Sequence, residues 1–179
     1  MKYLIASDIH GDFESAEIIL EKFNKFGCEK IILLGDILYH GPRNDLPKNY
    51  NPKKVIEILN SVSDKIIAVQ GNCDAEVDQM VLNFELKAFD EIEENGQKFY
   101  LTHGHKVSAD CPLEDKDNYI VLHGHTHIIK KTVVGSNTYI NIGSITLPKE
   151  NTDRCYAILN QDSVSVFNLE DNLVLEHKF

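Results

Sequence analysis

Three short apolar runs, separated by two amphipathic helices within the first seventy residues, constrain this chain more than any other feature. Lys2–Ser7, Lys30–Leu34 and Lys65–Val69 are rich in β-formers. The second is a continuous Ile/Leu run, as expected of a strand buried on both faces. Between the first two, Asp12–Phe26 places Phe13, Ala16, Leu20 and Phe23 on one helical stripe and meets Gly27 as a stop. Between the second and third, a polar loop, Tyr39–Asn51, leads to a helix opened by Asn51-Pro52, with Val55, Ile58, Leu59 and Val62 on its stripe. A β-α-β-α-β order of this kind predicts a parallel sheet with right-handed crossovers. Beyond about residue 85 the texture changes to short strands, predicted at Gln97–Thr102, Tyr119–Leu122, Ile128–Val134, Thr138–Ile142, Cys155–Leu159 and Ser163–Leu169, with turns at Gly135-Ser136-Asn137 and Asn160-Gln161-Asp162. No repeat or linker interrupts the chain, and the acidic segment Ser108–Asn118 is too short to divide it. One mixed α/β domain over residues 1–179 is expected.

Charge narrows the function classes. Lys and Arg number 18 against 28 Asp and Glu, a formal −10, and only Arg43 and Arg154 are arginines. So acidic a chain repels polyanions, which argues against stable nucleic-acid binding. No apolar run approaches the roughly 18 residues of a membrane span. The aspartate at position 8 comes too early for a signal-peptide core. Cys28, Cys73, Cys111 and Cys155 form no CxxC pair and read as free thiols, so a cytoplasmic protein is expected.

The chemistry concentrates where strands end. The first three strands run into Asp8-Ile9-His10-Gly11, Gly35-Asp36 and Gly71-Asn72-Cys73-Asp74. Two later ones deliver His103-Gly104-His105 and His123-Gly124-His125-Thr126-His127, so five of the eight histidines fall between residues 103 and 127. Carboxyl ends of parallel strands are where open α/β sheets bind ligands. In extended chain, residues i and i+2 face the same side, so Asp8 with His10, and His125 with His127, are expected to address one site. Neighbouring glycines let backbones crowd around a small object. A nitrogen and oxygen donor set without thiolates suits manganese, iron or zinc in an open catalytic site.

Taken together, Asp8-Ile9-His10, Gly35-Asp36 with Gly41, Gly71-Asn72, Gly104 between His103 and His105, and Gly124-His125-Thr126-His127 resemble the five ordered blocks of the calcineurin-like metallophosphoesterases. The loop His40–Pro47 and the block Gly71–Asp74 further resemble the small bacterial YfcE-type phosphodiesterases. The resemblance implies a four-layer α-β-β-α sandwich and two divalent ions, commonly manganese, sometimes iron, zinc or nickel. It implies Asp8, His10 and His127 on one ion, Asn72, His103 and His125 on the other, and Asp36 between them. The implied partner is a small organic phosphate ester, attacked by a metal-activated water.

One position departs from the broad family. Many members have histidine after Gly-Asn as the proton donor, oriented by the following acid; here Cys73 stands there, followed by Asp74. Cys73 and Asp74 are the catalytic candidates, with His40 and His105 as other proton donors and a buried, space-filling cysteine as the bland alternative. A deficient acid predicts that activated aryl diesters are cleaved far better than alkyl ones. In the loop after the Asp36 strand, His40 and Arg43 are candidates for substrate binding, Arg43 by forking onto a phosphate oxygen. His123 is expected to be a satisfied core residue. The leading reading is a metal-dependent phosphodiesterase. A phosphomonoesterase with the same site is the nearest alternative, and a non-catalytic scaffold, as in the retromer subunit of this fold, belongs to a different class. A homo-oligomer is compatible with the sequence.

Overall fold

The computed structural model describes all residues, Met1–Phe179. The three early runs form β1 (Tyr3–Ala6), β2 (Lys30–Leu33) and β3 (Ile66–Val69), parallel and adjacent, with β4 (Leu86–Lys87) beyond β3. Helices α1 (Phe13–Lys25) and α2 (Pro52–Asn60) are the crossovers. Their starts follow from local chemistry: the Asp12 carboxylate accepts the Ser15 amide at 2.8 Å, and the Asn51 side chain accepts the Lys54 amide at 3.2 Å with Pro52 behind it. A four-residue helix, α3 (Glu76–Gln79), follows β3.

The later half completes two sheets. Strands β5 (Asp90–Glu94), β6 (Gln97–Leu101), β7 (Tyr119–His123), β8 (Ile129–Val134) and β9 (Asn137–Ile142) form a five-stranded sheet in the order β5-β6-β7-β9-β8. Strands β10 (Cys155–Leu159), β11 (Ser163–Asn168) and β12 (Leu173–Lys178) return to the first sheet, which becomes β12-β11-β10-β1-β2-β3-β4. The predicted alternation places Tyr3 and Ile5 toward the second sheet, where they meet Phe99, Leu101, Leu122 and Ile140 in the inter-sheet core. Leu4 and Ala6 point the other way, into a core shared with Ala16, Ile19, Val55 and Leu59 of the helices.

This is a mixed α/β sandwich of two sheets with few helices, in keeping with the sequence expectation. Its fourth layer is irregular chain: Val107, Ala109 and Leu113 cover Tyr100, Val121 and Tyr139 on the outer face of the second sheet, and no helix lies there. No helix is long and apolar enough to cross a membrane. All four cysteines are free, Cys28 and Cys155 buried and Cys111 exposed.

Candidate metal centre

The carboxyl ends of β1, β2 and β3 meet those of β6 and β7 along one rim, and loop backbones tie them there. The amides of Asp8, His10 and Gly11 donate to the carbonyls of Gly35 (3.1 Å), Asp36 (2.9 Å) and Ile37 (2.8 Å), and Gly124 donates to His103 (3.0 Å). The expected extended alternation does not place the ligand candidates. Asp8 (φ 58°), His10 (φ 51°), Asp36 (φ 54°), His125 (φ 72°) and His127 (φ 62°) are all left-handed, a conformation that costs a non-glycine residue about 1 kcal/mol. Asp8 and His10 share a site because the chain coils after β1, as it does again after β7. Strain of this kind, held in place by surrounding structure, gathers at functional sites.

Asp8, His10, Asp36, His103 and His127 are buried, and their donor atoms converge. Asp8 Oδ1 lies 3.2 Å from His127 Nε2 and 3.6 Å from His10 Nε2. Asp36 Oδ2 lies 3.3 Å from His103 Nε2 and 3.8 Å from His10 Nε2, so this carboxylate stands between the two groups. Asn72 Oδ1 is 3.1 Å from His103 Nε2, and His125 Nδ1 is 3.2 Å from the same nitrogen. All seven predicted ligand positions thus fall in one cluster.

Backbone carbonyls orient the rings. His10 Nδ1 meets Tyr39 O at 2.8 Å, His103 Nδ1 meets Leu34 O at 2.7 Å, and His127 Nδ1 meets Leu147 O at 2.6 Å. A carbonyl only accepts, so each Nδ1 carries the hydrogen and each Nε2 turns its lone pair inward. His10 Nε2 and His127 Nε2 then face each other at 3.2 Å, an arrangement that needs a cation or proton between them. Asp8 Oδ1 is buried without a hydrogen-bond partner, whereas Asp8 Oδ2 accepts from Ser7 Oγ (2.7 Å) and the His125 amide (3.1 Å). An orphaned carboxylate oxygen beside inward imidazole nitrogens is what a divalent cation satisfies, and the second set of carbonyl partners is how ligating histidines are held. The donor set fits a metal.

Electrostatics agree. Burial pushes the Asp8 carboxyl up, but the His10 and His127 imidazoles outweigh it and hold it well below the usual carboxylate range. Burial lowers the His103 imidazole, and the Asp36 carboxylate overrides this and pushes it up to about 9. Both shifts come from pairing of buried carboxylates with imidazoles: where no cation is bound a proton on the ring serves the carboxylates, and a bound cation would take that proton's place.

Two glycines are required by close approach. A Cβ on Gly71 would lie 2.1 Å from Asp36 Oδ1, and one on Gly124 would lie 2.4 Å from Asp8 Oδ2.

The cluster forms the floor of a narrow cleft of about 40 Å³, where Asp36, Asn72, Cys73, His125 and His127 meet a wall of Gly41–Asn44 and, opposite in sequence, Lys149. Arg43 lines the cleft. His40 does not; its ring sits against Tyr39 and Tyr50, with centroids 4.8 and 5.3 Å away. Cys73 lines the cleft, and burial followed by the Asp36 charge pushes its thiol up to about 12. Asp74 faces away from the cleft: its carboxylate accepts the amides of Gly71 (2.7 Å), Asp36 (2.8 Å) and Ile37 (2.8 Å), bracing the Asp36 loop. His123 is buried, as expected, and burial lowers its imidazole to about 4. Sequence reasoning passed over Lys149 and Asn44. Neither sits in a strand-end motif, and only tertiary packing brings Lys149 to His127.

The sequence profile of the calcineurin-like phosphoesterase superfamily domain matches residues 1–163. Phosphodiesterase YfcE of Escherichia coli K12 is 41% identical over 176 residues, covering 98% of this chain and 96% of that protein. The solved structure of the E. coli phosphoesterase Yfce superposes with a TM-score of 0.94 at 39% identity over 99% of both chains. Vps29 of Entamoeba histolytica, solved in complex with Zn²⁺, shares the fold at a TM-score of 0.60 and 21% identity, over 100% of this chain and 98% of that one.

Proposed function

The chain belongs to the calcineurin-like phosphoesterase superfamily, and from that premise we propose that it is a metal-dependent phosphodiesterase acting on a small phosphate diester. We assign Asp8, His10 and His127 to one divalent ion, Asn72, His103 and His125 to a second, and Asp36 to both. The observation that carries this reading is the inward convergence of Nε2 lone pairs on the unpartnered Asp8 Oδ1, with Asp36 Oδ2 between His10 and His103. When bound, such ions lower the pKa of a shared water and draw charge from the phosphoryl oxygens. We name manganese as the working metal on the family resemblance; a set of carboxylate, amide and imidazole donors without an assigned thiolate also suits iron, zinc or nickel.

The residues divide the remaining work. Tyr39, Leu34 and Leu147 carbonyls fix the imidazole rings, and Asp74 holds the Asp36 backbone through three amides. Arg43 supplies a fixed charge at the cleft wall for a phosphoryl oxygen. Cys73 occupies the position of the usual proton-donating histidine, and burial with the Asp36 charge pushes its thiol up, away from that of a ready proton donor. A donor so weak leaves the departing oxygen to stabilise its own charge, which favours aryl over alkyl esters.

We read residues 1–179 as one catalytic domain, because both sheets share the core beneath the site. A cytoplasmic setting accords with four unpaired cysteines. The test is hydrolysis of bis(p-nitrophenyl) phosphate beside p-nitrophenyl phosphate by chelator-treated, Mn²⁺-reconstituted protein. Diester turnover exceeding monoester turnover supports the reading; faster monoester turnover replaces it with a phosphomonoesterase, and no turnover of either with a scaffold.

A further inference from the structure

We propose that Lys149 grips the substrate, standing with Arg43 at the mouth of the cleft to hold the non-bridging oxygens of the phosphoryl group. This rests on the phosphodiesterase reading above. The cleft is narrow, and of the side chains lining it only Arg43 and Lys149 carry fixed positive charge. They arrive from different parts of the chain, Arg43 from the loop after β2 and Lys149 from the loop after β9.

Seven lysines and Arg154 form ion pairs elsewhere; other lysines, Lys98 and Lys130 among them, do not, but none of those lines the cleft. Lys22 and Lys25 pair with Asp171 at 2.6 and 2.5 Å, Lys54 with Glu17 at 2.8 Å, Lys116 with Glu91 at 2.5 Å, and Arg154 with Glu14 at 3.2 Å. Arg43 and Lys149 belong to no such pair. Free cations at the one cleft holding the buried carboxylates are what capture of a small anion requires when the net charge is −10.

Lys149 is also held at a fixed place relative to the centre. Its amide donates to the His127 carbonyl at 3.1 Å, and Thr152 Oγ1 donates to the carbonyls of both His127 (3.3 Å) and Lys149 (2.8 Å). Two residues earlier, Leu147 O accepts from His127 Nδ1. One turn therefore orients the His127 ring and presents Lys149. The next residues, Glu150 (φ 52°) and Asn151 (φ 58°), are both left-handed, a local cost of the kind that persists where a turn is fixed by its surroundings.

The test is steady-state kinetics of the Mn²⁺-reconstituted full chain on bis(p-nitrophenyl) phosphate, with calorimetric titration of inorganic phosphate alongside. Lys149→Ala keeps the backbone hydrogen bonds that brace the turn, so the variant retains its fold. It is expected to raise KM and the phosphate dissociation constant together by about tenfold, the worth of one charge-assisted hydrogen bond, with kcat changed less than about threefold. Lys149→Arg should recover most of both. Lys98→Ala, which removes the same charge at the start of β6, should leave them unchanged. Unaltered KM and phosphate affinity in Lys149→Ala, an equal loss in Lys98→Ala, or no recovery by Lys149→Arg would each overturn the proposal. If the wild type cleaves no diester, the underlying reading fails separately, and the phosphate titration still decides the role of Lys149.

Discussion

Gly124→Ala replaces no proposed ligand and yet should disable the site. Gly124 does not adopt a left-handed conformation, so alanine there suffers no backbone strain; the obstacle is space. The new methyl would lie 2.0 Å from Ser7 Oγ and 2.4 Å from Asp8 Oδ2, against an ordinary contact of at least 3.4 Å. Relief at Asp8 therefore needs a separation of about 1 Å, and misplacement of that size at a reacting centre costs about 10²-fold in rate. Overpacking a close-fitted interior costs about 1–3 kcal/mol, and each kcal/mol lowers Tm by about 2–4 °C in a chain of this length. Gly135→Ala is the matched control: φ is +61° there, nothing lies within 4 Å of the added Cβ, and the variant should lose about 1 kcal/mol by strain alone. Thermal melts and hydrolysis of bis(p-nitrophenyl) phosphate at saturating Mn²⁺ separate the two. Both variants should melt lower, and only Gly124→Ala should lose about two orders of magnitude in rate. A fully active Gly124→Ala, or an equal loss in Gly135→Ala, would refute the reasoning.

Other predictions follow from the same geometry. The weak donor at Cys73 predicts a steep dependence of rate on the leaving group, so an alkyl diester should be cleaved far more slowly than its p-nitrophenyl counterpart; similar rates would reveal a competent acid elsewhere. Restoring an imidazole with Cys73→His should flatten that dependence, read as the ratio of the two rates. Away from the site, Asp171 accepts from Lys22, Lys25 and Tyr156 (2.6, 2.5 and 2.5 Å). Burial pushes its carboxyl up, and the two lysines and the tyrosine outweigh this and hold it low. Because its folded value lies below the unfolded one, near 3.9, its contribution is complete at neutral pH and fades as pH falls through the folded value. Asp171→Asn, which tolerates the left-handed backbone there (φ 65°), should cost about 2 kcal/mol at pH 7 by leaving the buried Lys22 without its counter-charge, and progressively less below pH of about 4. A gap between the two melting temperatures that stays constant with pH would show that charge is not the cause.

The central parallel strands and both crossover helices were legible because apolar period and capping residues are local signals. Strand β5 was not: Asp90-Glu91-Ile92-Glu93-Glu94 offers one apolar residue among four acids, and that charge is what keeps an edge strand from pairing with another chain. The fourth layer was also hidden, since Val107, Ala109 and Leu113 cover the second sheet from irregular chain that has no period to detect. At the site, the order of Asp, His and Asn at strand ends pointed to side chains that the fold brings together, although extended alternation was the wrong reason. The left-handed turns that bring Asp8 to His10 and His125 to His127 are imposed by contacts with Gly35, Asp36 and His103 from other loops. Lys149 and the carbonyls that orient the imidazoles depend wholly on tertiary placement, and no spacing rule reaches them. Asp74 shows the converse: a residue adjacent to the cleft in sequence turns its carboxylate to backbone amides instead.

The central claim is that two carboxylates, an amide and four imidazoles form a centre for divalent cations, with Asp36 shared. Metal content by mass spectrometry, after exchange into Mn²⁺ and removal of free ions, tests it most directly. The wild type should retain about two equivalents, and Asp36→Ala should lose both rather than one. A wild type retaining less than one equivalent, or an Asp36→Ala variant retaining two, would contradict the account.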